Sequence, residues 1–81
     1  MSFKDRRALE TLPSRIAALQ TQIARLNAVL ADPDLYARDP GRFRMTSQAL
    51  AVARDELAAA EERWLTLEML RERIDDVERK S

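Results

Sequence analysis

The sequence predicts an all-α protein, an antiparallel two-helix coiled-coil hairpin with a short, kinked helical lead-in at its N-terminus. Two observations indicate this fold class. Ala and Leu supply 24 of the 81 residues and charged residues 35%, with a single glycine, which is the composition of long helices. Apolar residues also recur at alternating spacings of three and four along both halves of the chain. A chain of this length makes one small domain, residues 1–81, with a thin core.

The first half of the chain carries an uninterrupted heptad seam. Its seven apolar positions are Leu9, Leu12, Ile16, Leu19, Ile23, Leu26 and Leu30. Such a seam is typical of a helix that packs against another helix. Because proline kinks a helix interior and is tolerated in a first turn, Pro13 predicts a lead-in over residues 1–12 and a helix over residues 13–31, with Thr11 as its candidate cap.

Two Asp-Pro pairs interrupt the helical pattern and predict a tip over residues 32–41. Each pair places a carboxylate suited to capping before a residue suited to the first helical position. Asp32 therefore opens a short turn, and Asp39 caps a second long helix over residues 40–79.

The second helix has a matching seam. Its positions are Phe43, Thr46, Leu50, Ala53, Leu57, Ala60, Trp64 and Leu67. The apolar series then continues through Leu70, Ile74 and Val77, and its two successive steps of three predict a local change in winding.

Antiparallel pairing of the two seams fixes a register. We pair the two helices so that the numbers of any two facing residues sum to 76. Six layers of facing residues then form, and none of them contains a polar residue. In this register Trp64 lies beside Leu12 and Pro13, where its ring fills the space that the kink opens. The same register places Phe3 over the end of the second helix, so that the lead-in covers it.

Acidic and basic residues balance in number but not in position. There are 14 of each, and 12 of the basic residues are arginine. The net charge is +3 over residues 1–31, zero over residues 32–44 and −3 over residues 45–81. Opposite charges on the two arms predict interhelical ion pairs that help each arm select the other.

Composition excludes several kinds of site. The chain has no Cys or His, and its single Gly cannot build a phosphate-cradling loop. No apolar run approaches the roughly 20 residues that span a bilayer, and no secretory leader is evident. A two-helix hairpin also lacks a pocket that would shift the pKa of paired carboxylates. We therefore expect a cytoplasmic chain without catalytic residues, metal, cofactor or membrane contact.

Clusters of basic residues at the start and at the tip are candidates for binding nucleic acid, because guanidinium groups match phosphate oxygens. The candidates are Lys4, Arg6, Arg7, Arg15, Arg38, Arg42 and Arg44. Tyr36 and Phe43 lie among the tip arginines, where they either stack on bases or, with Leu35, close the hairpin as an apolar plug. The neutral net charge favours a second interpretation, in which the charges only pair the two arms.

Three segments follow one another at hairpin spacing. They read K-D-R-R-A-L-E-T-L-P-S-R-I at residues 4–16, A-D-P-D-L-Y at residues 31–36 and E-E-R-W-L-T-L-E at residues 61–68. In this order they resemble the C-terminal domain of the Uup-type ABC-F ATPases, and the resemblance covers residues 4–72.

The resemblance implies that the chain is a piece from the C-terminus of a larger soluble ATPase with two ATP-binding cassettes. Members of the family act on ribosomes and translation, and the Uup branch is also linked to DNA. The resemblance thus implies a non-enzymatic DNA-binding appendage with phosphate-contacting Arg and Lys, and ribosomal RNA and the upstream cassettes as further partners. The alternative is a coiled coil that docks on the parent ATPase or the ribosome, or that dimerises. A second helix pair would then cover the off-seam residues Val29, Val52, Leu65 and Met69.

Overall fold

The computed structural model describes residues 1–80 as three helices. Helix α1 spans Phe3–Leu30, helix α2 spans Leu35–Arg38 and helix α3 spans Pro40–Lys80. Helices α1 and α3 pack against each other, and α2 packs against α3. The molecule is a rod of 65 × 18 × 15 Å. The predicted all-α helical hairpin is confirmed. Within the described residues, no helix combines the length and the apolar character needed to cross a membrane.

Helix α1 is continuous although Pro13 lies inside it. Its N-cap is Ser2, whose hydroxyl accepts a hydrogen bond from the backbone N–H of Asp5 at 3.1 Å. The residues expected to form a separate lead-in are therefore the first turns of α1. Thr11 does not cap a helix, because its hydroxyl donates to the carbonyl oxygen of Arg7 at 3.0 Å within α1.

Packing explains why the proline does not end the helix. An interior proline costs a helix about 3 kcal/mol, because it removes one N–H donor and crowds the preceding turn. The seam residues Leu9, Leu12 and Ile16 lie on both sides of Pro13, and each is half-buried. Fully burying a large aliphatic side chain is worth about 1.5–3 kcal/mol, so three half-buried side chains are together worth about as much as the penalty.

The tip is built by two aspartates. The carboxylate of Asp32 accepts the backbone N–H of Asp34 at 2.9 Å, and its carbonyl oxygen accepts that of Leu35 at 3.2 Å. This is the short turn that the first Asp-Pro pair predicts. The carboxylate of Asp39 accepts the backbone N–H of Arg42 at 3.1 Å, so Asp39 caps α3 as predicted.

Leu35 fills the tip, and Tyr36 does not. Leu35 is 1% exposed and Phe43 is half-buried, whereas Tyr36 is 67% exposed. The expectation that Tyr36 belongs to the plug is therefore wrong. Helix α2 has a single turn, and its buried position is taken by Leu35, whereas Tyr36 lies at the surface with its ring against Phe43 of α3.

The heptad seam is buried as predicted through Leu67. All seven seam positions of α1, and all eight of α3 up to Leu67, are buried or half-buried. The best-buried seam residues are Leu19, Leu50, Ala53 and Leu67, each no more than 7% exposed. This seam is the core of the domain.

Two ion pairs join the helices and show that they run antiparallel. The Nη2 of Arg15 lies 2.7 Å from the Oε2 of Glu56, and the Nη2 of Arg63 lies 3.0 Å from the Oδ1 of Asp5. Interhelical ion pairs are thus present as predicted, although each is exposed and worth roughly 0–1 kcal/mol.

Trp64 lies near Pro13, as the sequence predicts. Pro13, Ile16 and Trp64 line a groove together. This is the neighbourhood in which facing residue numbers that sum to 76 place the tryptophan.

Beyond Leu67 the apolar series is only partly buried. Ile74 is half-buried, whereas Leu70 is 36% and Val77 is 64% exposed. Phe3 is 79% exposed, so the prediction that it covers the end of α3 is wrong. The heptad positions before Leu9 are residues 5 and 2, so Phe3 faces outward.

Replacing the best-buried residue of the seam tests its role in stability. The Leu19→Ala substitution should lower the free energy of unfolding by about 2–5 kcal/mol, because it removes buried methyl groups and leaves a cavity. Urea denaturation followed by circular dichroism measures the change. The matched control, Val52→Ala, lies on the exposed face of α3 and should change it by less than about 0.5 kcal/mol. Equal effects of the two substitutions would contradict the buried seam.

Candidate nucleic-acid interface

The seven basic residues predicted as candidates lie in two groups, one in the first half of α1 and one at the tip. The α1 group is Lys4, Arg6, Arg7 and Arg15, and the tip group is Arg38, Arg42 and Arg44. An α-helix rises 1.5 Å per residue, so the two groups are about 40 Å apart. The structure therefore brings residues together within each group but does not join the groups.

Helical geometry divides the α1 group between two faces. Residues three or four apart are neighbours on a helix, so Lys4, Arg7 and, two turns further, Arg15 share one face. We call these three residues the basic flank. Lys4 and Arg7 are exposed, and neither forms an ion pair with any side chain that the structure describes. Arg15 is held by Glu56.

Arg6 lies apart from the basic flank. It lines a groove between α1 and the end of α3, together with Glu10, Asp75 and Glu78. These three carboxylates outnumber the two guanidiniums of the groove, those of Arg6 and Arg71, and would repel a phosphate. Arg6 is therefore a weaker candidate than its place in the sequence implies.

Arg38 is tied to the turn that forms the tip. Its Nη2 lies 2.7 Å from the Oδ2 of Asp32. The backbone N–H of Asp34, and then the Arg38 side chain, hold the pKa of Asp32 below its ordinary value of 3.8. Because the folded-state pKa is lowered, this ion pair stabilises the tip above the ordinary pKa, and the stabilisation disappears as the pH falls through the lowered value. At neutral pH, Arg38 is a structural residue of the turn.

Arg42 and Arg44 lie on opposite sides of the tip. Arg42 lines one groove with Asp32 and Arg38. Arg44 lines another groove with Tyr36 and its neighbours. Residues two apart on a helix do not face each other, so the three tip arginines do not form one basic patch.

The groove beside Arg44 was not predicted from the sequence. It is lined by Tyr36, Pro40, Phe43, Arg44, Ser47 and Gln48, and we call it the tip groove. Ser47 and Gln48 follow Phe43 and Arg44 at a spacing of four, so helical periodicity could have placed them on the same face. The side chains that the structure describes in this groove include one cation and no carboxylate. The tip groove therefore combines aromatic rings, a guanidinium and neutral polar groups.

Comparison with known proteins agrees with the fold and with the resemblance of the three segments. Residues 1–69 match the family model of the ABC transporter C-terminal domain. The chain is 46% identical over 74 residues to ATP-binding protein Uup of Caulobacter vibrioides, a match that covers 91% of this chain and 12% of that relative. It is 37% identical over 68 residues to ATP-binding protein Uup-like of Haemophilus influenzae, covering 84% of this chain and 15% of that relative.

No solved structure matches the chain. The chain spans about an eighth of the length of the Caulobacter relative and about a seventh of the length of the Haemophilus relative. The match to the family model covers most of the hairpin, including the tip and the seam through Leu67. The chain belongs to the family of ABC transporter C-terminal domains, in the form found in Uup-type ATP-binding proteins.

Proposed function

We propose that this domain is a non-enzymatic nucleic-acid-binding appendage of an ABC ATP-binding protein, with DNA as its first partner and ribosomal RNA as the alternative. The observation that carries the proposal is the basic flank. Lys4 and Arg7 are exposed neighbours on one face of α1, and within the described part of the chain they form no ion pair. Cations presented in this way bind backbone phosphates.

The shape of the molecule suits a nucleic acid that lies along it. The basic flank and the tip arginines are about 40 Å apart, which corresponds to about 12 base pairs of duplex at 3.4 Å each. A duplex along the rod could therefore contact both groups of cations. Contacts of this kind are sensitive to salt and independent of base sequence, because each one releases counterions from a phosphate.

In this proposal the hairpin carries out no reaction. ATP turnover belongs to the upstream cassettes of the parent protein, and the hairpin supplies affinity for the nucleic acid. The acidic second arm limits that affinity, since its carboxylates repel phosphates. The hairpin thus orients a nucleic acid towards the basic flank and away from the acidic end of α3.

Reversing the charge of the basic flank tests the proposal. The double substitution Lys4→Glu and Arg7→Glu should weaken duplex DNA binding by at least about tenfold at low salt. It should also reduce the slope of log K against log salt by about two, one for each phosphate that the variant no longer neutralises. Fluorescence anisotropy with duplex DNA, single-stranded DNA and structured RNA, each at low and at physiological salt, measures affinity and slope.

A matched control variant distinguishes the effect of where the substituted charges lie from the effect of the change in net charge. Arg73→Glu with Arg79→Glu makes the same change in net charge at the acidic end of α3, and it should leave the salt slope unchanged. Unaltered affinity in the basic-flank variant, or an equal loss in both variants, would reject the basic flank as the binding surface. Absence of binding to all three probes at low salt would reject the proposed function.

A second candidate function is docking of the hairpin onto another copy of itself. The off-seam residues Val52, Leu65 and Met69 are each more than half exposed, and Val29 is half-buried. Exposed apolar side chains on a helical rod favour packing against further helices, as in a four-helix assembly.

The mass of the chain in solution distinguishes the two candidates. Sedimentation equilibrium should give the mass of one chain if the hairpin acts alone, because its seam is already filled. A concentration-dependent rise to twice that mass, abolished by Leu65→Gln with Met69→Gln, would instead support dimerisation through the exposed face of α3.

A further inference from the structure

We infer that the tip groove binds an unpaired nucleotide, with the base stacked on Tyr36 and the adjoining phosphate held by Arg44. The inference rests on the proposed nucleic-acid-binding function and extends it. It adds a preference for single strands, loops or ends over continuous duplex.

Tyr36 offers an accessible aromatic face. It is 67% exposed, although the residue before it is almost completely buried. Its ring meets the ring of Phe43 at 88°, with the centroids 5.3 Å apart. In a perpendicular contact either the edge of Tyr36 meets the face of Phe43 or the reverse, so at least one face of Tyr36 is left uncovered by Phe43. Phe43 thus steadies the ring without occupying both of its faces.

The charge of the tip groove suits a phosphate. Arg44 is exposed, lines the groove and makes no ion pair with a described side chain. None of the three tip aspartates lines the groove, and two of them are engaged elsewhere: Asp32 binds Arg38 and the N–H of Asp34, and Asp39 caps α3. Arg44 can therefore contact a phosphate while its groove keeps a positive charge.

The rest of the groove matches the edge of a base. Ser47 supplies a hydroxyl, and Gln48 supplies an amide that both donates and accepts hydrogen bonds. Aromatic faces, a guanidinium and neutral polar groups together are the means by which proteins hold unstacked bases. In a duplex, the faces of the bases are covered by their neighbours, so only an unpaired base or a terminal base can stack on Tyr36.

Removing the ring tests the inference. The probes are a labelled oligothymidine strand and a labelled duplex several times longer than the strand, in which terminal bases are a small fraction of the total. The chain should bind the strand more tightly, and Tyr36→Leu should weaken strand binding about tenfold, the loss expected for one stacked base, with less than about a twofold effect on the duplex. Tyr36→Phe keeps the aromatic face and should retain strand affinity within about twofold. Anisotropy measures the binding of both probes to the unsubstituted chain and to the two variants.

Two further measurements distinguish a loss of binding from a loss of folding. Circular dichroism should be unchanged in Tyr36→Leu, because the side chain lies outside the core. The ring protons of Tyr36 should shift upfield on adding the strand. If the duplex binds as well as the strand and Tyr36→Leu changes neither affinity, the inference is overturned while the proposed function stands. If neither probe binds, both the inference and the proposed function are rejected. Binding of an apolar peptide to the tip groove would then identify the groove as a protein-docking site.

Discussion

Burial of one apolar seam between α1 and α3 is the interaction on which this domain depends. Isolated helices are marginal in water, and a rod only 18 Å across has room for little else inside it. Leu19, Leu50, Ala53 and Leu67 are nearly inaccessible to solvent along this seam. The interhelical ion pairs are exposed and contribute roughly 0–1 kcal/mol each, so they orient the arms while the seam holds them. The same packing carries α1 through Pro13 without a break.

Because the seam uses the inner face of both helices, function is confined to the outside of the rod. On this outer surface, basic side chains differ in whether a carboxylate lies beside them. Arg15 and Arg38 are held by carboxylates, whereas Lys4 and Arg7 are exposed and unpaired within the described side chains. Candidate basic residues that look alike in the sequence therefore differ in their partners, and within the described side chains only Arg15 and Arg38 of the seven form an ion pair.

The sequence alone predicts the structural features that follow from local chemistry and from the periodicity of the apolar residues. The heptads predict the antiparallel hairpin and its core through Leu67, and an Asp-Pro pair predicts the cap at Asp39. The exposure of Tyr36 was not predictable, since composition does not tell which of two adjacent apolar residues in a one-turn helix faces inward. The uninterrupted α1 was missed because tertiary packing outweighs the local preference of Pro13.

The most direct test of the account is to map the surface that meets nucleic acid by NMR. Backbone and side-chain signals of the labelled chain would be followed during titration with a short DNA duplex at low salt. We predict shifts at Lys4, Arg7 and the tip, with little change at seam residues such as Leu19, and their reversal when salt is raised. Shifts confined to the exposed apolar face of α3, or no shifts at all, would contradict a phosphate-binding surface on this hairpin.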